Sequence, residues 1–420
     1  MKKLFALLTM AVMMTFAACS DSDEEAAWKQ LPTEPIPGDN AMLTVNGGST
    51  TGSVQLTATS TTQGTLFLTN VLPGYAEISM DVTLSGRTDG TFDITGEKGL
   101  TTAPSMISRA DAESVIFNIS VSGNVTPEGK ATVNLISALS TEAQGGLAGT
   151  WDLLSEVKLK EDDGAMTIAP LWVTWSALDP AQANAEGFAR GVGTFGSMPL
   201  YQVLHSVTFS TDGNIMAEYW SGNVDLQTAI FQGTVTDQET LITTFINIHE
   251  DEPWLESPRN LAFWYVKGDN LYVVPNITAI LAQVGKDSGS SVDTGNLDIS
   301  ALLSKLGEYD ITLTAELLST VTGWLQTGIP LKYVKSNGAL KLYVDKEMCS
   351  PIIEALLPAL PKLDEMIAKL IAENPDDQSI QMLPMFLAML QIKNFADLEP
   401  IWNNNTDEFE ISLNLTDSAL

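Results

Sequence analysis

The chain has 420 residues, with 52 acidic against 21 basic side chains and a formal net charge of −31. An apolar share of 44% belongs to a chain that folds, so global disorder is excluded. So acidic a surface repels phosphate backbones and excludes nucleic acid as a partner. Two His and two Cys are too few for a zinc finger, an iron–sulfur centre or a disulfide scaffold. A length of this order predicts two or three domains.

Residues 1–18 open with Lys2 and Lys3 and continue as an apolar run from Leu4 to Ala18 that is too short to span a bilayer. This pattern reads as a signal peptide. The run ends in Thr15-Phe16-Ala17-Ala18-Cys19-Ser20, which resembles the bacterial lipobox. The resemblance implies cleavage before Cys19, lipidation of Cys19 and a membrane as partner through that lipid anchor. Loss of Lys2 and Lys3 would leave 19 of the 21 basic residues. The acidic stretch Ser20-Asp21-Ser22-Asp23-Glu24-Glu25 is similar to the surface-export signal of Bacteroidetes lipoproteins, which implies an outer-membrane, cell-surface location in a Gram-negative bacterium. With Pro32, Pro35, Pro37 and Gly38 following, residues 19–40 read as an extended tether.

Residues 41–143 are rich in Thr, Ser, Gly and Val. Val54–Thr59, Ala76–Leu84, Val115–Gly123 and Ala131–Leu135 alternate apolar and polar residues. Thr88-Asp89-Gly90-Thr91 and Pro127-Glu128-Gly129-Lys130 supply the turns. Period two with frequent turns predicts an all-β, sandwich-like unit.

Gln144-Gly145-Gly146 marks a boundary, and 146–420 reads as a second domain. All but one of the nine Trp and both His lie there. Tyr201–Phe209 and Ile215–Trp220 are expected to pair through Thr211-Asp212-Gly213-Asn214. Two further hairpins, 260–274 and 331–344, turn at Lys267-Gly268-Asp269-Asn270 and Ser336-Asn337-Gly338. Their strands echo one another (Tyr265-Val266-Lys267 and Tyr333-Val334-Lys335). Asp407–Leu415 reads as a closing strand. Helical periodicity runs through Leu297–Leu306, Thr312–Leu325, Pro351–Glu373 and Asp377–Ile392, with Pro358, Pro361 and Pro384 expected to break or kink it. In Pro351–Glu373 the apolar positions Ile352, Leu356, Leu360, Leu363, Ile367 and Leu370 keep three-to-four spacing. A Met stripe at 382–389 reads first as core.

Gly149-Thr150-Trp151 resembles the Gly-x-Trp start of lipocalin-like domains. That resemblance implies an antiparallel barrel whose Trp closes one end while the other opens on a cavity. With the lipobox and the domain order, the chain resembles uncharacterised two-domain lipoproteins of gut Bacteroidetes with a lipocalin-like C-terminal domain. The expected fold class is therefore α+β: an all-β sandwich followed by a lipocalin-like barrel or meander with large helical insertions. A sheet wrapped around apolar helices, as in tubular lipid-binding proteins, is the rival architecture.

No nucleophile elbow, phosphate loop or dinucleotide fingerprint occurs, so no cofactor is expected and a non-enzymatic role is the expectation. His249-Glu250-Asp251-Glu252-Pro253 lacks the second His of a zinc-protease helix, and the acidic loop reads as solvated. Cys349 reads as a small buried hydrophobe. The leading expectation is a hydrophobic small molecule or lipid bound in the C-terminal domain, with Trp151, Trp175, His205, Trp220 and Trp264 as lining residues. His205 alternates with Tyr201, Val203, Val207 and Phe209, which predicts an inward side chain. Surface glycan binding by exposed Trp175 and Trp254 is the alternative, and a structural or assembly subunit is the third. Asp417-Ser418-Ala419 resembles a Bacteroidetes O-glycosylation acceptor.

Overall fold

A computed structural model of the chain describes residues 27–36, 38–50, 52–101, 114–155, 157–159, 166–168, 170–179, 185–222, 253–287, 315–381, 384, 387–388, 390 and 392–418. The alternating first region becomes eight strands. They are β1 (Ala41–Val45), β2 (Gly48–Ser49), β3 (Ser53–Ala58), β4 (Gln63–Leu72), β5 (Tyr75–Gly86), β6 (Phe92–Leu100), β7 (Phe117–Val125) and β8 (Ala131–Leu139). They form one curled sheet in the order β2-β1-β8-β7-β6-β5-β4-β3, antiparallel except where β1 runs parallel to β8. The sandwich-like unit is thus a single sheet folded towards itself. One face meets the core, so residues alternate buried and open, and Val54, Leu56, Leu66, Leu68, Ile94 and Leu135 are wholly buried. Each such side chain stabilises by about 1.5–3 kcal/mol. Asn46 and Gly47 both hold positive φ (49° and 81°), as the tight β1–β2 turn requires.

A single helical turn, α1 (Thr141–Gln144), leads to the second sheet. Its first strands are β9 (Gly149–Leu153), the small separate hairpin β10 (Val157–Leu159) with β11 (Met166–Ile168), and β12 (Leu171–Ala177). Helix α2 (Ala185–Val203) intervenes before β13 (Leu204–Phe209), β14 (Ile215–Tyr219), β15 (Leu255–Glu256), β16 (Ala262–Lys267) and β17 (Asn270–Pro275). Helices α3 (Ile277–Asp287) and α4 (Ala315–Thr327) precede β18 (Ile329–Ser336) and β19 (Ala339–Asp345). Then come α5 (Lys346–Leu356), α6 (Leu360–Glu373), α7 (Gln378–Gln381), α8 (Leu398–Asn405) and the last strand β20 (Thr406–Asp417). The strand order is β15-β14-β13-β9-β20-β19-β18-β17-β16, with β12 also paired to β20. β20 does join the first strand of this sheet to β19, as a closing strand should. The meander curls until Asn214 of the β13–β14 turn bridges Phe263 of β16, so its two ends touch at one point. The fold class is α+β, an all-β unit followed by a barrel-like meander carrying helices.

That turn also fastens the two sheets together. Gly213 lies on the ring of Phe117, and the Phe117 and Phe263 rings meet edge to face at 6.5 Å. Ser137 Oγ donates to Asp212 O (2.7 Å), Leu139 N to Thr211 O (2.8 Å) and Asn260 Nδ2 to Val45 O (2.9 Å). Asn46 and Ser137 bond each other in both directions. Ser137 and Asn260 are buried, so their bonds matter more than their net strength suggests. One hydrophobic cluster runs unbroken from Leu31 through both sheets to Leu415.

Two expectations change. Residues 27–36 are not the extended tether expected over 19–40: Ala27–Gln30 forms a helical turn, Leu31 and Ile36 are buried, and Ile36 N donates to Val54 O on the edge strand β3. Those two apolar side chains outweigh the extended bias of the prolines. Tyr201–Val203 end α2 instead of starting a strand. Pro351–Glu373 is helical and divided at its prolines as expected, with Pro358 and Pro361 in the first turns of successive segments, where a missing N–H costs nothing. The Thr312–Leu325 periodicity emerges as α4, whereas Leu297–Leu306 lies outside the described residues. Of Asp377–Ile392, the described residues Gln378–Gln381, Pro384, Leu387 and Ala388 are helical.

Candidate functional site: the inner face of the second sheet

Directly paired residues of antiparallel strands point to the same face, so register alone assigns the inner surface. Trp175 opposes Phe409, Val173 opposes Ile411, which opposes Val344, and Leu171 opposes Leu413. Leu413 opposes Leu342, which opposes Tyr333, and Leu331 opposes Leu271. The row is apolar throughout. Leu271, Leu342 and Leu340 are buried, but Leu331, Tyr333, Val344, Ile411, Leu413 and Val173 are only half-buried. They pack against the two hydrophobic clusters and still reach solvent. The first sheet has no such band, for its inner residues are sealed.

The tryptophans fill space at the two ends of this face. Trp151 is buried, donates Nε1–H to Leu147 O at 2.9 Å, and lies under the Lys335 ammonium, 5.0 Å from the ring centroid. Trp264 is fully buried, bonds Ser210 O through Nε1 and meets the edge of Phe209. Trp175 is buried among Phe188, Trp402 and Phe409, with Nε1 bonded to Thr406 Oγ1 at 2.9 Å. These indoles are satisfied at their only donor, which is how a core Trp behaves. Trp175 therefore offers no open ring face to a sugar, contrary to the glycan alternative. Trp220 is half-buried just beyond β14, with its backbone N–H donating to Val203 O.

His205 is exposed, not inward. The helix extends to Val203, and β13 carries a register shift between Leu204 and Ser206, so the alternation assumed from Tyr201 onward slips by one. His205 instead stacks on half-buried Trp254, with centroids 5.2 Å apart and planes 23° from parallel. Leu255 is exposed beside them, and Ser206 Oγ donates to Glu218 Oε2 at 2.9 Å. The structure thus stacks His205 on Trp254 and not on the buried Trp151, Trp175 and Trp264.

A groove of about 460 Å³ opens beside the start of α5, lined by Asp345, Lys346, Glu347, Ser350, Asp407 and Glu408. Its best-placed groups already have partners. Asp345 accepts from Met348 N at the helix start and pairs with Lys332, while Lys346 Nζ donates to Thr406 O. Burial raises the Asp345 carboxyl pKa, but the Lys332 and Met348 bonds outweigh it and hold the carboxyl below its ordinary value. Among the described residues no three His, Cys, Asp or Glu side chains converge as metal ligands. Cys349 is buried, and burial followed by the Asp345 charge pushes its thiol up to about 11, the reverse of an activated nucleophile.

No family model matches this chain, and neither a curated protein nor a solved structure matches it significantly. Among the described residues no helix is long and apolar enough to cross a membrane.

Cys19, His249 and the Met stripe positions Met382, Met385 and Met389 lie outside the described residues. Ser418 is exposed, and its hydroxyl donates to Asp152 Oδ1 at 2.8 Å. Two features went unflagged in the sequence. The half-buried inner row was visible as alternation in Leu331-Lys332-Tyr333 and Ile411-Ser412-Leu413, but only pairing aligns these runs. The apolar stripe of α6 was visible as periodicity, yet periodicity does not say that the stripe is left open: Leu363, Met366 and Leu370 are exposed and no residue of α6 is buried.

Proposed function

We propose that the chain is a lipoprotein, moored to the outer membrane through Cys19 and facing the cell surface, that holds a hydrophobic small molecule or lipid in its C-terminal sheet without catalysing a reaction. The observation that supports this reading is the half-buried apolar row Leu331, Tyr333, Val344, Ile411 and Leu413 on the concave side of the curl. A face that were pure core would be sealed as the first sheet is, whereas a ligand-holding face keeps apolar area within reach. The lining is thus the strand residues between the tryptophans, with Trp151, Trp264 and Trp175 as end walls. Native mass spectrometry of the purified protein should reveal a co-purifying apolar molecule. A naphthylamine dye should bind and be displaced by fatty acids. Leu413→Glu, with the fold checked by circular dichroism, should abolish dye binding. Dye uptake unaffected by Leu413→Glu would place the site elsewhere.

Surface glycan binding remains the second reading, and the stack of exposed His205 on half-buried Trp254 favours it. Retardation in a polysaccharide gel that disappears in Trp254→Ala would support that role.

A further inference from the structure

We infer that α6 (Leu360–Glu373) is a self-association surface, on which a second copy of the chain packs antiparallel against the first. The helix carries Leu363, Met366 and Leu370 at three-to-four spacing, and they are 38%, 55% and 43% exposed. Leu356, on the turn before, extends the stripe at 39% exposure. No residue of α6 is buried, although the opposite flank is fastened to the body through Asp364, whose carboxylate accepts from Phe395 N and Ala396 N at 2.8 and 2.9 Å. The open stripe is therefore held in place and outward by a dedicated contact.

The chemistry of the stripe selects its occupant. It is a convex ridge, so it does not enclose a small apolar molecule. Its flanks carry Lys362 and Lys369 beside Glu365 and Glu373, a balanced mixture and not the basic polar face of a membrane-surface helix. The charges have a direction, with Lys362 near the helix start and Glu373 at its end. Parallel pairing would set like against like. Antiparallel pairing about a two-fold axis near Met366 sets Leu363 against Leu370 of the copy, Met366 against Met366, and Lys362 within reach of Glu373, and it opposes the two helix dipoles favourably. A lysine ammonium has three protons and a carboxylate two oxygens, so this contact is compatible with bonds made within one chain, including the exposed Lys369–Glu373 pair at 3.7 Å. The patch is smaller than the roughly 800 Å² per partner of a standard interface, so association is weak and concentration-dependent.

The test is site-directed crosslinking of the purified full chain with a short bis-maleimide across a concentration series. Wild type, whose Cys349 is buried, supplies the blank. Met366→Cys should give a product of twice the monomer mass, and Ala368→Cys, about 200° around the helix, should give at least tenfold less. Adding Leu363→Glu to Met366→Cys should reduce the product at least tenfold. Glu373→Lys should reduce it several-fold, and adding Lys362→Glu should restore it. Three results would each overturn the inference: no double-mass product from Met366→Cys, equal yields from positions 366 and 368, or failure of the charge swap to restore the yield.

Discussion

Gly213 shows how much one residue carries. Its φ is +90°, and a methyl group there would lie 2.4 Å from Cε1 of Phe117. Gly213→Ala should lower the unfolding free energy by roughly 2 kcal/mol or more, through backbone strain and the clash together. A urea midpoint unchanged from wild type would show that the turn is not seated on Phe117. Among the tryptophans the expectations separate. Trp175→Ala removes three ring contacts and a buried hydrogen bond, and should cost about 3–5 kcal/mol, whereas Trp254→Ala at the sheet edge should cost under about 1 kcal/mol. Cys349 adds a pH dependence. Its folded thiol pKa is raised to about 11, so its stabilising contribution is complete below about pH 9, where the unfolded thiol is still protonated, and is lost as pH rises towards 11. Tyr75 and Tyr265, both raised by burial, extend the loss above about pH 10. Comparing urea midpoints at pH 8 and pH 10.5 should show a smaller alkaline loss in Cys349→Ala than in wild type.

At the scale of elements, alternation and turn chemistry were the reliable signals. Val54–Thr59 became β3, and the Ser336-Asn337-Gly338 turn joins β18 to β19 with positive φ at Asn337 and Gly338 (47° and 76°), because a two-residue hairpin demands that geometry of any sequence. Legibility failed where long-range contacts decided the outcome. Nothing local in Leu31 or Ile36 announces that they complete the edge of β3. The helix ending at Val203 and the slip after Leu204 turned His205 outward against a pattern that looked continuous. For α6, three-to-four spacing gave the helix correctly but not its exposure, since amphipathicity marks a face and not what covers it. Stability should reflect this: Leu340→Ala in β19 should cost about 2–5 kcal/mol, while Leu370→Ala in α6 should stay within about 0.5 kcal/mol. Chemical denaturation of the two variants side by side checks the contrast.

For the molecule as a whole, the two sheets should unfold together. Their shared cluster and the polar ties of Asn46, Ser137, Asp212 and Asn260 leave no solvated joint at which one could melt alone. Calorimetry should show one transition, with matching calorimetric and van't Hoff enthalpies. Asn46→Ala should lower its midpoint without splitting it. Two resolved peaks would mean that the sheets are independent.

The packed start of the chain fixes a distance. The helical turn Ala27–Gln30 starts eight residues after Cys19. Eight residues at full stretch span about 28 Å. With the lipid anchor proposed at Cys19, a body on so short a leash would stay close to its bilayer. Under that proposal, whatever it captures would come down to that depth to be met.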